Sequence, residues 1–211
     1  PLAVSLDHPT PLLAVGSNGA PSTLVRKFAH LPEPERRVVV VAGHLHDFDI
    51  GPVARMTPYG SLPATPFASP GTAVRASILW VTTAQLTALT WSEMSYLLGW
   101  LGPIAFEPDE PPASTATPEV TQALLYVSRW GTLTGDDGDP LALEALPARG
   151  RPATAASQEA LLARLADAAG APDARSLLQQ LVDAPRAFMR DIEPWLSARA
   201  APFASDRWHP Y

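Results

Sequence analysis

Two short stretches carry residues that could do chemistry. Glu93 lies in Leu89-Thr90-Trp91-Ser92-Glu93-Met94-Ser95-Tyr96, a carboxyl group with aromatic neighbours on either side. Half-buried against Trp91 and Tyr96, such a carboxyl would titrate above the ordinary glutamate range, nearer the working pH of a general acid or base. The other stretch is Val15-Gly16-Ser17-Asn18-Gly19, which follows an apolar run. A tight loop between strand and helix points backbone N–H groups at whatever precedes the helix, and so favours an anion. Each stretch also has a plainer reading. Thr90-x-x-Glu93 fits a capping box in which Glu93 reaches back to the Thr90 amide. The Ser17-Asn18 loop fits an ordinary turn, and Tyr96 fits a core aromatic.

Other candidates fall away on spacing. The chain has no cysteine, so disulfides, thiolate catalysis and cysteine zinc sites are excluded. Ser61, Ser69 and Ser77 lack a Gly-x-Ser-x-Gly context. His44-x-His46 has no third ligand at a metal-binding spacing and reads as a polar strand face. Asp136-Asp137-Gly138-Asp139 lacks the remaining calcium-loop positions and reads as a hairpin turn.

The elements that must position these residues follow from periodicity. Leu12–Val15 reads as a strand. Pro21 and Ser22 open a helix whose apolar positions are Leu24, Val25, Phe28 and Leu31. Val38–Val41 reads as a buried strand, continuing toward Asp49 with His44, His46 and Phe48 on one face and Leu45 and Asp47 on the other. Residues 51–71, rich in Gly and Pro, predict a long irregular passage, and 73–81 a central strand. A helix starts at Thr82-Thr83. A second helical segment begins near Thr90 and runs to Trp100, stopped by Gly102-Pro103. Residues 124–127 and 141–143 predict strands, with turn chemistry at 135–139. From Ser157 onward the pattern is helical: Ser157 and Asp173 as N-caps, Gly170 as a terminator, and Pro185 opening a last helix that Pro194 should bend or end. Five of the six tryptophans are read mainly as core, and Trp208 as a candidate interface residue.

Composition bounds the class. The 211 residues suit one domain, and the apolar fraction of 46% is ordinary. The 24 prolines are spread along the chain, which indicates ordered loops. Net charge is −6 without a basic stripe, so no nucleic-acid or membrane-surface partner is expected. No apolar run approaches the ~20 residues of a membrane span. The start, Pro1–Asp7, lacks the pattern of a leader peptide. The expected location is cytoplasmic.

Gly16-Ser17-Asn18 after an N-terminal strand, Glu93-x-x-Tyr96 after a later strand and helix, and Leu62-Pro63-Ala64-Thr65-Pro66 with Ser69-Pro70-Gly71 between them together resemble the γ-glutamylcyclotransferase superfamily. The likeness spans roughly residues 12–145; the intervening segment looks like that of bacterial members, and the helical tail after 150 looks like an extension found in some bacterial relatives. In that family a Tyr-Gly-Ser-Asn loop binds the γ-glutamyl head group and a Leu-Asp-x-x-Glu segment supplies the carboxylate. Here Val15 replaces the tyrosine, Gly19 a leucine and Thr90 the aspartate.

The resemblance implies an α+β fold in which a small mixed sheet closes toward a barrel with flanking helices, residues 1–150 forming the core and 151–211 the extension. It implies Glu93 as catalytic acid/base and Val15, Gly16, Ser17, Asn18 and Tyr96 as substrate-binding residues. The Gly16–Gly19 amides would hold a carboxylate or an oxyanion. The implied reaction converts a γ-glutamyl amine or amide to 5-oxoproline and free amine, with no cofactor and no metal. The partner is then a small γ-glutamyl molecule, and a homodimer is left open. The rival readings are a non-catalytic binding or scaffold member of the fold, and an amide hydrolase using the same pocket.

Overall fold

The structure, a computed structural model, describes residues 8–110 and 119–211; the Pro1–Asp7 segment read above for a leader lies outside them. β1 (Thr10–Ala14) leads through a short 3-10 turn into α1 (Pro21–Phe28), which starts at Pro21 without a side-chain cap. β2 (Val39–Pro52) and β3 (Ala64–Val81) form one long antiparallel hairpin. α2 (Thr83–Ser92) starts at a capping box in which Gln85 N donates to Thr82 Oγ1 and Thr82 N donates to Gln85 Oε1. Then follow β4 (Tyr96–Leu101), β5 (Phe106–Pro108), β6 (Ala123–Ser128), β7 (Thr132–Leu133), β8 (Ala142–Leu143), β9 (Ala148–Arg149) and β10 (Ala155–Ala156). The chain ends in α3 (Gln158–Ala169), α4 (Ala174–Asp183), α5 (Pro185–Ser197), β11 (Ala200–Ala201) and β12 (Trp208–Pro210).

The fold is α+β. The main sheet has the order β12-β4-β6-β1-β3-β2-β5, with β9 joined to β3. β1 pairs in parallel with β6, whereas the other neighbours are antiparallel. The sheet is open: β12 and β5 stand at opposite ends of the path, so the closure toward a barrel and the small size expected from sequence are both corrected.

Alternation along β1 divides the core. Leu12 and Ala14 face α1 and α2, packing with Leu24, Phe28, Leu86 and Leu89. Leu13 faces the other way, into a cluster continuous with Leu161, Leu165, Leu177, Leu181, Ile192 and Leu196 of α3, α4 and α5. The caps expected for those helices are present. Ser157 Oγ accepts from Ala160 N at 3.1 Å, Asp173 Oδ1 accepts from Ser176 N at 2.7 Å, and Gly170 is left-handed at φ 65°. Pro194 does not end α5, which continues to Ser197.

Five local expectations are corrected. Only 53–63 of the 51–71 passage lies outside strands, because β3 begins at Ala64. Its prolines are tolerated where β3 has β2 on one side and no strand on the other. A bulge at Asp47, with φ 64°, flips the alternation so that Phe48 joins Leu45 in the core instead of sharing the face of His44 and His46. The valine run is not buried: Val39 and Val40 are exposed, since β5 reaches only Gly43–Leu45 and leaves the start of β2 as an edge. The second helical segment does not exist. Residues 96–101 are strand, and pairing with six residues of β6 outweighs a helical period in a short apolar run. The turn at 135–139 is present, closed by a bond from Gly135 N to Asp139 O at 2.8 Å, but it links β7 toward β8, not β6 to β8.

His44 and His46 face acidic partners on and beside β5, Asp109 at 3.7 Å and Glu107 at 3.2 Å. A stronger ion pair sits inside. Asp49 is 0% exposed, and its carboxylate accepts from Arg151 Nε at 2.7 Å, Arg151 Nη2 at 2.8 Å and the Ile50 amide at 2.8 Å. Arg151 also donates to the Leu146 carbonyl, which ties the 146–151 segment onto the hairpin. Arg151→Ala strands a buried carboxylate and should lower unfolding free energy by about 3–5 kcal/mol, as read from denaturant titration.

Candidate active site

Strand directions bring the chemistry to one place. Leaving β1 at Ala14, the chain enters the Val15–Gly19 loop. β3 ends at Val81, opposite Thr10 at the far end of β1. α2 then runs back by about 15 Å, ten residues at 1.5 Å each. That matches the roughly 17 Å of a five-residue strand. Glu93, the C-terminal cap of α2, therefore arrives beside the loop that follows β1. Tyr96 opens β4 at the same end, opposite Ser128 of β6, and Ala64 opens β3 there.

These ends enclose a cleft of about 800 Å³, within the range of small-molecule sites. All six residues singled out from sequence line it: Val15, Gly16, Ser17, Asn18, Glu93 and Tyr96. At its centre three side chains close a triangle. Lys27 Nζ donates to Glu93 Oε1 at 2.7 Å and to Asn18 Oδ1 at 2.6 Å, and Asn18 Nδ2 donates to Glu93 Oε1 at 3.1 Å. The Lys27 and Glu93 side chains are only 12% and 14% exposed. Both recorded bonds to Glu93 end on Oε1; Oε2 has no partner among the described residues.

The capping-box reading of Glu93 is corrected. Thr90 lies in the last turn of α2, where its hydroxyl donates to the Leu86 carbonyl at 2.8 Å and pairs with Tyr126 Oη at 2.7 Å. The capping box of this helix is at Thr82 and Gln85, the other end. The surroundings of Glu93 also differ from expectation. Trp91 points to solvent at 64% exposure and does not line the cleft; it is therefore not a core tryptophan either. In the loop, the Gly19 amide donates to the Gly16 carbonyl at 3.0 Å and is not available to a ligand, as the Gly16–Gly19 reading had required. The Ser17 and Asn18 amides begin the 3-10 turn and close no turn bond.

No family model matches the chain, and no curated protein matches it. Among solved structures, a gamma-glutamyl cyclotransferase is 16% identical, covering 56% of this chain and 66% of its own, with a TM-score of 0.42. An uncharacterized protein from Homo sapiens is 19% identical, with coverages of 58% and 68% and a TM-score of 0.40. A protein from Arabidopsis thaliana, known from a solution structure, is 19% identical, with coverages of 61% and 74% and a TM-score of 0.40. Likenesses this weak carry no argument about chemistry, and the α+β architecture rests on the strand order above.

Lys27 was not among the residues singled out from sequence. A signal was there: Leu24, Lys27, Phe28 and Leu31 fall at i, i+3, i+4 and i+7, so the lysine stands on the buried stripe of α1. Tyr59 and Tyr126, which also line the cleft, had no such signal. Tyr96 donates its hydroxyl to the Ala64 carbonyl at 2.9 Å, fastening β4 to the start of β3 across the cleft wall.

Burial pushes the Tyr96 hydroxyl well above the ordinary phenol range, with the Glu93 charge and then Tyr59 adding to it. Burial raises Tyr126 likewise; the bond to Thr90 opposes this and Glu93 supports it. A folded state that holds these protons is unaffected below the unfolded phenol value of 10.0 and loses stability as pH rises beyond it. Two of the four tyrosines should thus resist ionisation past pH 10 in an ultraviolet titration. Glu93→Gln should make both ionise earlier.

Proposed function

We propose that the cleft catalyses intramolecular cyclotransfer, turning a γ-glutamyl amine or amide into 5-oxoproline and free amine. The observation that carries this is Glu93 itself: a carboxylate at the cleft, held by its Oε1 and open at Oε2, beside a loop that matches the family's head-group loop at Gly16-Ser17-Asn18.

In the proposed reaction the substrate's α-ammonium loses a proton to Glu93 Oε2. The freed amine attacks the γ-carbonyl carbon, forming the ring C–N bond. The tetrahedral intermediate collapses by breaking the amide C–N bond as Glu93 gives its proton to the departing amine; Glu93 then takes the second proton from the ring nitrogen and passes it on, so that the lactam leaves neutral and the amine leaves as an ammonium. Atoms balance without water and without an enzyme nucleophile. Well-placed internal attack reaches effective molarities of ~10⁵ M or more, so holding the substrate does much of the work. Tyr96 shapes the wall and, being bonded to Ala64, keeps its own proton.

A hydrolase reading has less support. None of the five histidines lines the cleft, so no serine there has a histidine base. The binding-module reading required a Glu93 that caps its helix away from any cavity, and Glu93 faces the cleft instead. Among the described residues no helix is long and apolar enough to cross a membrane.

The test is mass spectrometry of purified protein with γ-glutamyl amino acids, γ-glutamyl amines and glutathione. 5-Oxoproline should form with wild type, and Glu93→Gln should cut the rate by roughly 10²–10⁴-fold while leaving the fold intact. Release of glutamate without 5-oxoproline would instead identify hydrolysis.

A further inference from the structure

Lys27 and Glu93 each keep one valence open to the cleft. An ammonium has three N–H donors. Two of those on Lys27 are engaged, by Asn18 Oδ1 and Glu93 Oε1, and the third has no partner among the described residues. A carboxylate has two oxygens, and only Glu93 Oε1 is engaged. The pair therefore offers a cationic donor and an anionic acceptor side by side, both fixed by Asn18 and both largely withdrawn from water. Opposite charges in that setting recognise a ligand with a carboxylate and an ammonium on one carbon.

We infer that Lys27 binds the substrate's α-carboxylate while Glu93 Oε2 takes the α-ammonium, so that the ion pair itself reads a free α-amino-acid head group. This rests on the cyclotransfer reading and adds to it a residue that selects the substrate. Only one orientation works, because the reverse places carboxylate against carboxylate and ammonium against ammonium. The ligand's zwitterion and the protein's ion pair are each neutral, so binding buries no net charge. A ligand with the amine but no α-carboxylate leaves the third Lys27 donor unpaired and sets two cations together, a mismatch that a largely desolvated site penalises. Arg26, on the same helix, also lines the cleft, but it is exposed and makes no recorded bond to Glu93 or Asn18. Other titratable side chains facing the pair are Tyr59, Tyr96 and Tyr126, and they carry no charge to offer a carboxylate.

The experiment compares γ-L-glutamyl-L-alanine with 4-aminobutyryl-L-alanine, which differ only in the α-carboxylate and cyclise to 5-oxoproline and 2-pyrrolidinone. Wild type should favour the first in kcat/KM by roughly tenfold to hundredfold, the range of one charge-assisted hydrogen bond. Lys27→Met should bring the ratio near unity, and Lys27→Arg should keep most of it. Binding is measured in parallel by ligand-detected NMR with L-glutamine and 4-aminobutanamide, which needs no turnover. Wild type should bind glutamine more tightly, and Lys27→Met should bind the two alike. The inference is overturned if Lys27→Met discriminates as wild type does, or if Arg26→Gln loses the preference instead. If wild type binds glutamine selectively through Lys27 but cyclises nothing, the head-group assignment stands and the cyclotransfer reading falls.

Discussion

The two ladders of β1 decide where the rest of the molecule goes. Its five residues pair antiparallel with β3 on one edge, and Leu12 and Leu13 pair in parallel with β6 on the other. A strand so placed is buried on both faces, which is why Leu12, Leu13 and Ala14 all leave solvent. Its direction then sets the ends of its neighbours. β3 must run the opposite way, α2 must return across the sheet, and β4 must begin where α2 stops. The loop after β1, the end of α2 and the start of β4 consequently meet at one edge of the sheet, and the cleft is the space among them.

Charge inside that space is arranged under a tight constraint. A lysine and a glutamate that are nearly out of solvent are costly to bury unless they meet each other and a further polar group. Asn18 supplies that group, with its oxygen to the ammonium and its amide to the carboxylate. The arrangement explains why the loop residue is an amide: a side chain that only donates or only accepts would satisfy one partner and repel the other. The pair Asp49 and Arg151, neither of which lines the cleft, solves the same problem with a guanidinium fork and serves the framework. One chain thus uses a buried ion pair to lock a segment and another to keep valences open.

Much of this was legible in the residues. Helix boundaries at Pro21, Thr82, Ser157, Gly170, Asp173 and Pro185 were readable because capping, ring closure and left-handed glycine act within a few residues. The cleft-lining set Val15, Gly16, Ser17, Asn18, Glu93 and Tyr96 was named from motif resemblance before any geometry. The misreadings share a cause. Tyr96–Leu101 was read as helix because a six-residue apolar stretch has no decisive period, and its strand conformation depends on β6, some 30 residues away in sequence. The bulge at Asp47 and the long β2–β3 ladder likewise depend on partners that local pattern does not name.

What the sequence determined by itself is therefore the local grammar: where most helices begin and end, which run is a central strand, that one glutamate and one polar loop are the candidates for chemistry, and that cysteine chemistry is absent. What only the tertiary structure decided is company. That Glu93 meets Lys27 rather than the Thr90 amide, that Trp91 turns outward, and that the sheet stays open all depend on contacts between residues far apart in the chain. Glu93 and Lys27 are 66 positions apart. Capping and turn preferences act over three or four residues, whereas an ion pair across such a span exists only once the ladders of β1 have set the position of both helices.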